Sequence, residues 1–323
     1  MQAAIQRILK FGAYVVSPPG RNAVLSTLLY HRVLGTNDPL RPNTVTADQF
    51  RWQMRLMSQH FCMLPMEEAV RRLNDGSLPA RAACVTFDDG YADNAEVALP
   101  ILQECKVPAT FFVATGYLDG GRMWNDTVIE AVRRIPDGLL DLDEYRLGTH
   151  VLNGVESRII CIRSLLKALK HMLPTEREKT ADYIASFAVE ALPDDLMMTS
   201  AQVKQLYTVG MSIGAHTVSH PILACIDAQK ARWEIEEGRR HLEEIINNKI
   251  ELFAYPNGRP GSDYLPIHVE MVRGLGFKAA VSTVRGVSVQ SSNKWELPRF
   301  TPWDKLPARF MARLLSNCLH RTH

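Results

Sequence analysis

Ala83-Cys84-Val85-Thr86-Phe87-Asp88-Asp89-Gly90 is an apolar run that stops on two carboxylates and a glycine. Its composition predicts a strand, and its polar stop predicts that Asp88 and Asp89 sit at the strand's C-terminal end. Ala92 to Glu104 follows with a helical pattern, and Ala109 to Thr115 is again short and apolar. Strand, helix, strand is a βα unit, which implies parallel pairing. The same alternation extends outward, with strands expected at Thr27 to His31, Ser212 to His216, Leu252 to Tyr255 and Lys278 to Ser282. Helices are expected at Ala47 to Ser58, at Ser200 to Val209 and at Asp227 to Asn247. Ser200 serves as N-cap and Gly210 as the residue past the end of the second of these. About six such units favour an α/β fold of the closed or nearly closed (β/α) barrel kind over an open sheet.

From about Asp119 to Met198 the alternation breaks. Helical patterns over Asp126 to Arg134, Glu156 to His171 and Glu176 to Leu192 predict a helical insertion between two barrel units, with no Gly/Ser/Pro-rich linker on either side. Residues 1–26 are expected to form an N-terminal helical segment and residues 27–323 one catalytic domain carrying the insertion at about 119–198.

Composition narrows the class. The 323 residues are 46% hydrophobic and 22% charged, which suits a globular domain with a substantial core. A formal net charge of +2 gives no reason to expect nucleic acid as a partner. The six cysteines occur singly, several within apolar runs, and read as buried free thiols of a reducing compartment. No apolar run reaches the length of a transmembrane helix. The segment Met1 to Val16 reads as a helix packed on the domain or, alternatively, lying peripherally on a membrane surface. A cytoplasmic enzyme, associated or not with the inner membrane, is the expected location.

The polar motifs fall at strand ends: Asp88 and Asp89, His31, His216, and Pro256-Asn257-Gly258. In a parallel barrel those ends converge on one face, where catalytic groups gather. Neighbouring residues of a strand point to opposite faces, so Asp88 and Asp89 can share a site only if the chain turns there, and Gly90 permits that. The other role open to Asp89 is as N-cap of the helix beginning near Ala92. His216-Thr217-Val218-Ser219-His220 spaces two imidazoles four apart, which on a helical turn places both on one side. A carboxylate and two histidines can hold a divalent cation and leave a position open for water.

Together these residues resemble the polysaccharide deacetylase family (the NodB homology domain, carbohydrate esterase family 4). Thr86–Gly90 is similar to its TFDDG motif and His216–His220 to its H-[ST]-x-x-H motif. Phe253-Ala254-Tyr255-Pro256-Asn257-Gly258 resembles the FxYPxG motif of the branch that acts on exopolysaccharides. Leu29-Tyr30-His31-Arg32-Val33 and Leu297-Pro298-Arg299 extend the likeness to roughly Leu28–Phe300. The resemblance implies a distorted (β/α) barrel and a metal-dependent hydrolase that removes N-acetyl groups from amino sugars of an exopolysaccharide or its precursor, releasing acetate. It implies Asp89, His216 and His220 as ligands of a divalent metal, zinc foremost with nickel, cobalt or iron as alternatives, and Asp88 as general base. A backbone N–H near Tyr255 to Asn257 would stabilise the oxyanion.

The family's third-motif arginine is replaced here by Ala254. Arg299 could supply that guanidinium or form a surface salt bridge instead. No Leu-x-His motif is found, so His31 is the candidate general acid, or a partner of an aspartate. Trp124, in Trp124-Asn125-Asp126, is a candidate sugar-stacking platform, and Trp303 a weaker one. Two rivals stand beside this reading: hydrolysis of a small amide or lipid-linked sugar, and a glycan-binding module with a vestigial site.

Overall fold

The computed structural model describes residues 17–322. Six parallel strands form one curled sheet whose spatial order follows the chain: β1 (Ser26–Tyr30), β2 (Ala82–Phe87), β3 (Ala109–Val113), β4 (Ser212–Ala215), β5 (Leu252–Ala254) and β6 (Ala279–Val281). Cys62–Met63 adds a short seventh strand against the start of β2. The extended segment Leu297–Phe300 then joins the two edges. Leu297 N–H donates to Ala280 O at 2.9 Å on the β6 side, and Phe300 N–H donates to Thr27 O at 2.8 Å on the β1 side. The distorted barrel expected from the βα alternation is therefore present, closed by an irregular segment rather than by a further regular strand.

Alternation along the strands separates two cores. Leu28, Val85, Phe87, Phe111, Ile213 and Phe253 face outward onto α1 (Ala47–His60) and the other surrounding helices. Cys84, Phe112, Leu252, Ala254 and Val281 point inward. There they meet Met66, Ala69, Val70 and Leu73 of α2 (Met66–Asp75), which plugs the barrel's N-terminal end. With that end filled, the barrel interior opens at its C-terminal end.

The helix expected over Ala92 to Glu104 is split. A π-helical turn, Asn94–Ala98, runs into α3 (Leu99–Cys105), which carries Pro100 in its first turn. Proline has no N–H to donate, and the ladder adjusts by widening one turn.

Between β3 and β4 the chain builds α4 (Trp124–Arg134), α5 (Gly154–Leu169) and α6 (Pro174–Ala185) around a core of their own, with Val128, Val132, Leu165, Leu169 and Ile184 buried. An antiparallel hairpin, Gly138–Asp141 with Thr149–Leu152, lies between α4 and α5. Helical patterning alone did not anticipate it, and α6 stops at Ala185, short of Leu192. Next, α7 (Ser200–Thr208) begins one residue earlier than expected: Thr199, not Ser200, is the N-cap, in a reciprocal capping box with Gln202. Asp227 caps α8 (Ala228–Ile246), and Asn247 ends it in the left-handed conformation at φ 53°. Two further helices, α9 (Pro266–Gly274) and α10 (Pro307–Asn317), complete the shell. Of residues 1–26, the described part begins at Ser17 and contains one 3₁₀ turn, Gly20–Asn22. The helix expected at Met1–Val16 lies outside the described residues.

Candidate active site

The chain turns sharply at the end of β2. Asp89 has φ 79° and Gly90 φ 91°, both in the left-handed region. A side chain at Gly90 would meet Val113 at 2.9 Å, so glycine is required both for the turn and for the close pass to β3. This turn lets two consecutive aspartates face one place. Both are buried, at 2% and 7% exposure. Asp89 does not cap the following helix: its Oδ1 is buried and accepts no hydrogen bond.

Arg299, on the segment that closes the barrel, is only 1% exposed. Its Nη1 donates to Asp88 Oδ1 at 2.7 Å and its Nη2 to Asp88 Oδ2 at 2.6 Å. The same guanidinium reaches Thr86 Oγ1 and, through Nε, Ser282 O. This is a buried bidentate pair rather than a surface salt bridge. Burial works to raise the Asp88 pKa, but the charge of Arg299, with lesser help from His216, outweighs it and holds the carboxyl below its ordinary value.

His216 and His220 are not on a helical turn. They flank an irregular loop in which Thr217 (φ 66°) and His220 (φ 51°) are left-handed, and Thr217 Oγ1 accepts from His220 N–H. The rings still converge, with centroids 4.8 Å apart. His216 Nδ1 lies 2.7 Å from Ala254 O. A carbonyl can only accept, so Nδ1 carries the hydrogen and Nε2 is left as a lone-pair donor. That Nε2 and the Nε2 of His220 each lie 3.4 Å from Asp89 Oδ1. Ligands held at about 2.0–2.1 Å in tetrahedral arrangement are about 3.4 Å apart, so each imidazole nitrogen stands at the separation from Asp89 that a zinc-sized ion requires, and all three ligand atoms lie within 4.8 Å of one another. Asp89, His216 and His220 form the group of potential metal ligands found among the described residues. Burial would raise the Asp89 pKa; contact with His216 and the charge of His220 reverse this and keep it well below the usual carboxylate range. Burial draws His220 down to about 4, which leaves it neutral and able to ligate.

Sequence reading missed what holds the loop. Glu234 of α8 is 1% exposed; its Oε2 accepts from the N–H groups of Val218 (2.9 Å) and Ser219 (2.8 Å), and its Oε1 from the Ser219 hydroxyl (2.6 Å). Gly238, one turn further on, lets α8 approach: a Cβ there would lie 2.7 Å from the Thr217 backbone. A glutamate inside an otherwise charged helix carries no mark of this role.

Two clefts meet at Asp89. One, of about 300 Å³, is lined by His31, Arg32, Asn43, Thr44, Asn125 and Trp303. The other, of about 210 Å³, is lined by Trp124, Lys170, Arg177, His220 and Asn257. His31 is exposed on the rim, and Trp303, 55% exposed, stands on the same side. Tyr255 is fully buried, stacked on Tyr264 at 3.9 Å, and its N–H donates to Val281 O. Neither its ring nor its N–H is available to a ligand. Gly258 N–H is taken up by Pro256 O, and Pro256 has none. Among the described residues, this leaves the Asn257 N–H as the donor without an acceptor in that turn.

The sequence profile of polysaccharide deacetylases matches residues 75–140 and 168–280, more than half of the chain. The chain belongs to the polysaccharide deacetylase family. A poly-beta-1,6-N-acetyl-D-glucosamine N-deacetylase of Staphylococcus aureus is 25% identical over 186 residues, covering 53% of this chain and 64% of that protein's length. Among solved structures, a Streptococcus pyogenes deacetylase, PplD, in complex with acetate superposes with a TM-score of 0.60 at 22% identity, over 92% of this chain and 98% of that one. IcaB from Ammonifex degensii gives 0.55 at 19% identity, over 94% and 98%. At these identities the structural likeness establishes the polysaccharide deacetylase fold.

Proposed function

We propose that this polysaccharide deacetylase removes N-acetyl groups from amino sugars of an exopolysaccharide or its precursor, using a divalent metal, zinc foremost, at Asp89, His216 and His220. One observation carries the reading. A buried carboxylate oxygen without a hydrogen bond faces two imidazole nitrogens at 3.4 Å, beside a second carboxylate clamped by a buried arginine. The staphylococcal relative, named for action on poly-N-acetylglucosamine, supports the substrate class. A bound metal would polarise the acetamide carbonyl and make water acidic enough to attack near neutral pH.

Asp88 takes a proton from the attacking water. Arg299 keeps it ionised and fixes its plane, a positioning role. The Asn257 N–H, on the same cleft as Asp89, donates to the developing oxyanion. The C–N bond then breaks, a proton passes to the sugar nitrogen, and acetate leaves. His31, on the rim of the neighbouring cleft, is the group placed to supply that proton. Trp124 offers a ring to a sugar beside the reacting one.

Acetate release from N-acetylglucosamine oligomers should vanish on chelation and return with zinc. Undiminished release from metal-free protein would refute the metal's role.

A further inference from the structure

Two arginines are fully buried among the described residues, and they are treated in opposite ways. Arg299 has both oxygens of Asp88. Arg177, 4% exposed in the first turn of α6, has no carboxylate oxygen within 4.0 Å. Its Nε has no hydrogen-bond partner, and its Nη1 makes only a long contact, 3.4 Å, to Lys170 O. The ring of Trp124 lies 4.9 Å from its Cζ. A cation–π contact offsets only part of the cost of desolvating a guanidinium, and buried charges are ordinarily paired. Burial accordingly draws the Arg177 pKa below its usual range.

Arg177 lines the 210 Å³ cleft that also contains Asp89, His220 and Asn257. Lys170, half-buried at the end of α5, lines it too and has no ion-pair partner among the described residues. Apart from Asp89, no acidic residue lines this cleft. Two unpaired cations therefore stand beside the candidate metal site, one of them held in place by an aromatic ring.

We propose that Arg177 and Lys170 form a subsite for an anionic group of the glycan, a carboxylate or a phosphate carried on or next to the sugar being deacetylated. The inference rests on the deacetylase reading and specifies its substrate class. A neutral homopolymer would leave Arg177 with only the more distant charge of Glu178, whereas a uronic acid or a sugar phosphate would supply a direct partner through bidentate contact.

The test compares kcat/KM on three probes: an N-acetylglucosamine trimer, the same trimer oxidised to a carboxylate at C6 of one terminal sugar, and N-acetylglucosamine 1-phosphate. Wild type should prefer at least one anionic probe over the neutral trimer by about tenfold at low salt, with the preference shrinking as salt rises. Which probe is preferred tells carboxylate from phosphate. In R177Q the ratio should fall toward one, and R177K, which keeps the charge without the bidentate fork, should recover part of it, an outcome a purely structural role would not give. No preference in wild type, or one that survives R177Q, overturns the subsite. Calorimetric binding of the same probes to D88N separates the two claims. Arg177-dependent preference in binding without turnover of any probe by wild type would refute the deacetylase reading and retain the subsite. Turnover of the neutral trimer without discrimination would do the reverse.

Discussion

At the scale of single residues, the proposed reaction turns on Asp88 and Arg299. Their pairing has a consequence for pH that can be given a sign. Burial alone pushes the Asp88 pKa up, and the guanidinium overrides it. In R299Q burial loses its main opponent and only the weaker pull of His216 remains, so the Asp88 pKa should rise. The base would then be protonated at a pH where the wild type is still ionised, and the acid limb of the kcat/KM profile should move to higher pH. An unmoved acid limb in R299Q would show that Arg299 does not tune this carboxylate. Removing one partner of a buried ion pair should also cost about 3 kcal/mol of stability, measurable by urea unfolding. Glu234 yields a second expectation. E234Q replaces an acceptor of three hydrogen bonds with a group whose amide would face N–H donors, so zinc affinity should weaken by about tenfold or more. Calorimetry on the purified variant checks this. Unchanged affinity with a lowered Tm would reduce Glu234 to ordinary packing.

At the scale of elements, the site depends on one helix standing close to one loop. Gly238 is where α8 passes the Thr217 backbone, and G238A places a Cβ at 2.7 Å from it. Overpacking of this kind costs about 1–3 kcal/mol, and the strain should fall on the loop carrying His216 and His220. Zinc affinity and thermal stability should therefore drop together in G238A, by titration and by calorimetric melting. The six main strands were readable because each is a short apolar run stopped by a polar motif, and burial on both faces leaves little else for such runs to do. Asp88, Asp89, His216 and His220 could be found because their spacing is unusual in itself. The His216–His220 loop was misread as helical because i, i+4 spacing is indifferent to how the backbone gets there. Two left-handed residues and Glu234 bring the rings together instead. Arg299 could be nominated from the sequence but not assigned, since its partner lies 211 positions away. Arg177 gave no signal, because an arginine early in a charged helix looks solvated until its burial is known.

For the whole molecule, the barrel's N-terminal end is filled by α2 and its edges are joined by Leu297–Phe300, so the barrel interior opens toward the strand ends that carry Asp88, Asp89 and His216. Closing the barrel and holding Asp88, the proposed base, are achieved by one segment, since Arg299 lies within it. At the proposed three-ligand centre zinc binds the folded chain alone and should stabilise it by about 2.7 kcal/mol at a hundred times its dissociation constant. That gain, followed by denaturant unfolding, should be absent in D89N, whose neutral amide is a poor ligand. An equal gain in D89N would place the metal elsewhere.

In the proposed mechanism two adjacent aspartates divide the labour, Asp89 holding the metal and Asp88 moving the proton. The most direct test measures zinc content and acetate release together, on wild type and D88N, with an N-acetylated glycan oligomer as substrate. The prediction is one zinc in each protein, with acetate release by D88N reduced at least about a hundredfold, the low end expected for loss of a general base. Loss of zinc from D88N, or full turnover without that carboxylate, would contradict it.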